Sequence, residues 1–323
     1  MSHAIATSGG CILHSPFCIF HSSQPPMFVN QTEISIRERG KRELFDLALH
    51  VARRHFGPLA VALVLGAAPF AAFNAWTLSP IAEYDETDLY GGDERSDYVK
   101  YMTLLVFLEA PLATSLMTIY LGQVLFRTRP TTRQLIREFG RSAGQLFWYQ
   151  GVVRGTMLAL VAAAIDNKRD LAVMPEFIVW CAALWALGAR GLRPYLNEVI
   201  LLERNPRRAE RGSAMTTARR NAALHAGFGG DSFVQMIGAG MLGFLTVGSL
   251  WLTISYMRAL LFNVVEADRA TFTVVLPLAL WMTVWFLAIV RFLGYLDLRI
   301  RREGWEVELR VRTEAAAMTR TVT

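Results

Sequence analysis

Cysteine is scarce: three in 323 residues, at positions 11, 18 and 181. That excludes a small secreted module held by disulfides. Charge is sparse too, at 19% of residues, where a soluble domain carries about 25%. With 53% hydrophobic residues the chain is neither disordered nor collagen-like. Signatures of catalysis are missing as well. There is no His-Glu-x-x-His, no Gly-x-Ser-x-Gly, no Walker phosphate loop and no dinucleotide fingerprint after a strand. The six histidines (His3, His14, His21, His50, His55 and His225) do not stand with carboxylates at metal spacing. Gly227-Phe228-Gly229-Gly230-Asp231 is a glycine turn without a lysine to hold phosphate. A non-enzymatic chain with no metal and no cofactor is the expectation.

The N-terminal stretch contains Cys11-x-x-His14-x-x-x-Cys18-x-x-His21. Three residues between the pairs are too few for a loop that returns both to one tetrahedral ion. Flanked by Ser, Gly and Pro, residues 1–40 read as a flexible tail. They lack the basic start and continuous apolar core of a signal peptide. Met1 and Met27 both stand as starts, because recognisable structure begins only after Met27. Cys181 lies in an apolar block and reads as a small buried hydrophobe.

What the chain has is long apolar runs. Crossing about 30 Å of hydrocarbon takes about 20 apolar residues. Six stretches qualify: Gly57–Ser79, Tyr101–Phe126, Leu146–Ile165, Leu171–Ala189, Phe233–Met257 and Phe272–Leu293. The third and fourth contain Arg154 and Glu176 and are the weakest. One such run can be a buried soluble helix, but a soluble core has no room for six. Trp76, Tyr101, Trp148, Tyr149, Trp251 and Tyr256 fall toward span ends, as interfacial aromatics do. The predicted fold class is all-α: a polytopic helical bundle over residues 41–303, followed by a short C-terminal tail, 304–323.

The net charge of +6 is unevenly distributed. Counting Lys and Arg between the runs gives an alternation of high and low from one loop to the next. One side receives 26 of the 33 basic residues, counting Arg291 as snorkelling to it. The other receives six, together with the acidic first loop of Asp85, Glu86, Asp88, Asp93, Glu94 and Asp97. Arg154 stays within a span. By the positive-inside rule this predicts six crossings of a bacterial inner membrane with both termini in the cytoplasm. The cytoplasmic cations include Arg53, Arg54, Arg207, Arg208, Arg211, Arg219 and Arg220, placed to meet anionic lipid. Topology already accounts for these clusters, so nucleic acid is not an expected partner. The lipid bilayer is, together with a membrane-protein partner or a second copy of the chain.

Between the spans, Glu43–Phe56 reads as an amphipathic helix, either on the headgroup surface or continuous with the first span. Tyr195–Leu202 reads as a kinked or interfacial helix ended by Asn205-Pro206. Arg207–Leu224 reads as a basic helical linker, and Tyr295–Glu303 as a continuation of the last span. Trp305–Arg312 alternates strictly, as a short strand does. The basic linkers before the third and fifth spans echo one another, which leaves an internal repeat open.

Glu109, eight residues into the second span, and Arg154, eight into the third, are the candidate site. Consecutive antiparallel helices put them within reach, and an ionisable residue at the bilayer centre costs about 2.5–3.5 kcal/mol on insertion scales. The spacing therefore predicts a direct Glu109–Arg154 pair, serving as a register-fixing ion pair or as part of a transport path. Pro111 predicts a local bend and freed carbonyls. Gly238, Ala239, Gly240 and Gly243 give the fifth span a small face for helix packing.

Three segments stand out: Glu43-Leu44-Phe45-Asp46 followed by Arg53-Arg54-His55-Phe56-Gly57-Pro58-Leu59, then Arg193–Glu198, then Tyr295–Gly304. Together they resemble bacterial membrane proteins of the glycerophosphoryl diester phosphodiesterase membrane-domain-like group. The likeness implies a polytopic bundle and supplies no catalytic residue. The phosphodiesterase barrel is absent, since no eight-fold strand–helix alternation occurs. The expected role is a non-enzymatic membrane component that organises the membrane or supports a complex. The alternative is a small transporter or channel subunit using Glu109 and Arg154.

Overall fold

In a computed structural model, residues 40–82, 91–124, 130–166, 174–208, 215–227, 229–263 and 269–303 are described. The Cys11/His14/Cys18/His21 tail, the Trp305–Arg312 segment and Arg211 lie outside them. Every regular element among the described residues is helical. They are α1 (Lys41–Arg54), α2 (Phe56–Thr77), α3 (Ser79–Ala82), α4 (Gly91–Ala113), α5 (Ser115–Val124), α6 (Thr132–Leu146), α7 (Thr156–Asp166), α8 (Met174–Leu192), α9 (Leu196–Glu198), α10 (Thr217–His225), α11 (Gly229–Phe262) and α12 (Leu276–Glu303). Three π-helical segments interrupt the series at Phe147–Val153, Val199–Glu203 and Thr271–Val275.

Four helices are long and apolar enough to cross a membrane: Phe56–Thr77, Arg95–Val124, Phe233–Phe262 and Thr271–Arg302. A fifth is counted if Thr132–Val153 and Thr156–Ile165, bent by 66° at their junction, form one span. The third predicted run is therefore broken rather than straight. The fourth survives as a shorter apolar helix, Phe177–Leu192, packed along α7 as a hairpin.

The exposed surface is compatible with a membrane protein. Exposed large apolar side chains gather on α2 (Val61, Val64, Leu65), α8 (Phe177, Leu184, Trp185) and α11 (Val234, Met241, Phe244, Leu252). A soluble monomer rarely shows so much contiguous apolar surface. At the centre stand α4, α5 and α12. All but two of the ten residues of α5 are buried, and α12 touches α1, α2, α4, α5, α10 and α11.

Local sequence sets the element ends. The amphipathic α1 buries Leu44, Ala48, Val51 and Ala52, places Glu43 in its first turn and ends on Arg53 and Arg54. That charge order suits the helix dipole. It packs against α12, so the apolar side of α1 is committed to the bundle. Thr131 and Gln134 form a capping box at the start of α6. Of the predicted basic linker Arg207–Leu224, the described residues are helical from Thr217 to Leu224, whereas residues 204–208 are irregular after Arg204 takes a left-handed φ of 52°. At Gly66 a Cβ would collide with the Ala113 carbonyl oxygen, so glycine lets α2 close against the α4–α5 junction.

Candidate functional site

The site is organised by two interruptions. Pro111 lies inside α4. Without an N–H it leaves the carbonyl of Phe107, four residues earlier, without its helical donor. Arg190 supplies the replacement: its guanidinium donates to the Phe107 carbonyl and, at 2.9 Å, to that of Leu108. The same group lies over the Phe107 ring, 4.2 Å from the centroid. The Pro111 carbonyl accepts from Asn197 at 2.6 Å and from the Ser115 hydroxyl at 2.8 Å.

The second interruption follows Arg154. Gly155 takes a φ of 77°, a conformation that side chains other than glycine adopt at a cost. The turn brings Arg154 to the end of α8. It donates to the Arg193 carbonyl at 2.7 Å, the Ala189 carbonyl at 3.4 Å and Gln150 Oε1 at 3.3 Å. Two of these acceptors are carbonyls at a helix C-terminus, where a cation is favoured. Gln150 in turn donates to Asn197 Oδ1.

Glu109 and Arg154 are both buried, but they do not pair. Glu109 accepts from Asn74 of α2 at 2.8 Å, and its other carboxylate oxygen has no donor. The expected ion pair is corrected on this point. The α4 face carrying Glu109 meets α2, whereas the 66° bend turns Arg154 toward α8. Glu198, by contrast, does meet an arginine: it accepts from Arg291 Nε at 2.7 Å. Arg291 also donates to the Thr114 hydroxyl at 3.3 Å, so it points into the bundle.

Arg154, Arg190 and Arg291 line one end of a cavity of about 760 Å³ bounded mainly by α4, α11 and α12. Gln150, Tyr195, Asn197 and Gln235 lie at the same end. The other end is apolar, with Val99, Val247, Trp251, Leu252, Leu276 and Leu280. Three arginines and no carboxylate line the space. Arg154 and Arg190 bond only uncharged oxygens, and Arg190 Nε has no partner. Placing such cations at membrane depth costs about 2.5–3.5 kcal/mol each on insertion scales, and one glutamate offsets only part of that.

The small face of α11 divides. Ala239, Gly240 and Gly243 line the cavity, and Gly243 also meets Leu287 of α12, 3.3 Å from an added Cβ. Gly238 faces open space. Among the surface cations, Arg53, Arg54, Arg208 and Arg219 are exposed, and Arg207 stacks 3.7 Å above the Trp148 ring. Arg220 departs from the expected lipid-facing role. Its side chain is largely buried and forms a two-pronged ion pair with Glu203, which also accepts from Tyr295 at 2.8 Å. Nearby, His225 stacks on Tyr195 and contacts the Asn221 carbonyl at 2.8 Å. Burial lowers its pKa, aided by the fields of Arg193, Arg154 and Arg302 and opposed by the Asn221 carbonyl.

Sequence reasoning missed Arg190, Asn197 and Glu198, and set Arg291 at the surface. One signal was readable: Pro111 freed a carbonyl whose donor was never sought. Among the described residues, no group of three or more His, Cys, Asp or Glu is placed to hold a metal ion. No family model, curated protein or solved structure matches the chain. The resemblance to the phosphodiesterase membrane-domain-like group therefore rests on the segments quoted for it.

Proposed function

We propose that the chain is a non-enzymatic integral protein of a bacterial inner membrane that holds a hydrophobic ligand within its bundle and so helps to organise the membrane or a membrane complex. The observation that carries this reading is the cavity with three arginines and no carboxylate. A bundle that needed only to be stable gains nothing from it. The likeness to the phosphodiesterase membrane-domain-like group, whose members are polytopic bundles, agrees with the reading. The bilayer is its first partner; a second copy or another membrane protein covering α11 is its second.

We further propose six crossings with both termini cytoplasmic. Support comes from the alternation of basic charge and from the hairpin of α7 and α8. A hairpin returns to the side it left whether it crosses fully or re-enters, so the sidedness of α11, α12 and the C-terminus does not depend on which. Cysteine labelling in intact cells tests this, on a background with the native cysteines replaced by serine. An impermeant maleimide should reach D88C, K168C and E266C directly, but R129C and R312C only after permeabilisation. Labelling of K168C only after permeabilisation would reduce the crossings to four; direct labelling of R312C would refute the orientation.

A transporter is the second reading, favoured by the broken helix at Arg154 and Gly155, since transporter sites are built on discontinuous helices. Solute uptake into proteoliposomes that depends on Arg154 would support it. Equal uptake by wild type, R154Q and empty vesicles would remove it.

A further inference from the structure

We infer that the cavity binds one anionic phospholipid of the cytoplasmic leaflet, its headgroup on Arg154, Arg190 and Arg291 and its acyl chains along α11. The inference deepens the proposed function and rests on the orientation given there. Charge selects the head. Three guanidinium groups repel one another across one end of the space. Only Arg291 has a carboxylate, Glu198. Arg154 and Arg190 bond only uncharged oxygens, and Arg190 Nε is an unused donor. A phosphate offers several acceptor oxygens to such forks and removes the repulsion.

Shape selects the tail. From Gln235 to Trp251 the α11 wall runs 16 residues, about 24 Å at 1.5 Å per residue. That exceeds the ~15 Å of hydrocarbon in one leaflet and is far more apolar length than a soluble anion needs. Gly240, Gly243 and Gly248 put no side chain into the space at three points along this wall. The cavity also reaches the membrane-facing surface, because Phe244 and Leu252 line it while standing 79% and 63% exposed. A lipid can enter sideways beside α11 and leave the ends of its chains in the bilayer. With the basic end toward the cytoplasm, head and tails point as they do in the inner leaflet.

The test uses the full chain in detergent, stripped of lipid and offered phosphatidylglycerol, phosphatidylcholine or diacylglycerol, with retention read by native mass spectrometry and by melting temperature. Wild type should keep one phosphatidylglycerol through a wash that removes the other two, and should melt higher with it. R154Q/R190Q should lose at least tenfold in retention. Because that variant removes internal hydrogen bonds, G240L carries the test independently: an added Cβ there meets nothing within 4 Å, and the leucine enters the cavity. It should abolish retention, while G238L, outside the cavity, should keep it. Undiminished retention by G240L would overturn the site. Equal retention of phosphatidylcholine or diacylglycerol would overturn the headgroup class. The same melting shift from inorganic phosphate alone would overturn the lipid as its source. If wild type retains nothing while the labelling pattern gives six crossings, the inference falls and the topology stands. Retention together with outside labelling of R312C overturns the leaflet assignment.

Discussion

Gly155 holds a φ of 77°, and an added Cβ would meet Ala182 only at an ordinary 3.5 Å. Backbone conformation rather than space therefore demands glycine. Gly155→Ala should lower stability by about 1–2 kcal/mol, read as apparent melting in detergent, and should disturb ligand retention through Arg154. Glu109 invites a sharper experiment. Since it bonds Asn74 and Arg154 bonds the end of α8, the exchange E109R/R154E should fare no better than either single change in expression and melting. Rescue by the exchange would restore the ion pair that the sequence spacing implied. His225 governs a pH effect. Its folded pKa lies below its ordinary value of about 6.5, so the unfolded chain takes up the proton first. Stability from this residue is complete above about pH 6.5 and is lost as pH falls below it. A melting profile should decline there, and His225→Asn should flatten that part of the decline.

Among the elements, α4 and α8 depend on each other through one missing N–H. Pro111 leaves the Phe107 carbonyl open and Arg190 fills it. Pro111→Ala returns the helical donor, so Arg190→Gln should cost less in that background. A double-mutant cycle on melting should show coupling of about 0.5–3 kcal/mol; strict additivity would sever the link. Glu203 has a comparable position in tying the π-helical segment to α10 and α12 through Arg220, Arg299 and Tyr295. Removing its charge takes a carboxylate from two largely buried arginines, and Glu203→Gln should cost about 1–3 kcal/mol. The exposed pair of Asp97 and Lys100 should change by less than about 1 kcal/mol when broken. Helix existence was legible from composition and period: α1, α2, α11 and α12 all follow their apolar runs. The bend in the third run was not, because Arg154 and Gly155 read locally as one unfavourable residue and one flexible one. Their combined effect requires α8 to be standing beside them.

At the scale of the molecule, α2, α8 and α11 carry exposed apolar side chains while α4, α5 and α12 are buried at the centre, so the bundle is apolar on much of its outside as well as within. In such a setting polar side chains are the ones that carry information. From the chain alone each of them has a depth but no neighbour. Glu109 and Arg154 were matched because they stood at equal depths on consecutive spans. Folding instead joined Glu109 to α2 and Arg154 to α8, partners far apart in sequence.

Length, period and charge alternation are properties of the chain itself, and by themselves they determined a helical chain with several runs apolar enough to cross a membrane. Each depends on what a segment costs to place in lipid or water, which its own residues largely fix. The cavity, its three arginines and the bend that aims one of them were decided only in the tertiary structure. Side-chain partners depend on which helix faces rotate together, and in lipid that rotation is set by packing and by freed carbonyls such as that of Phe107, not by hydrophobicity.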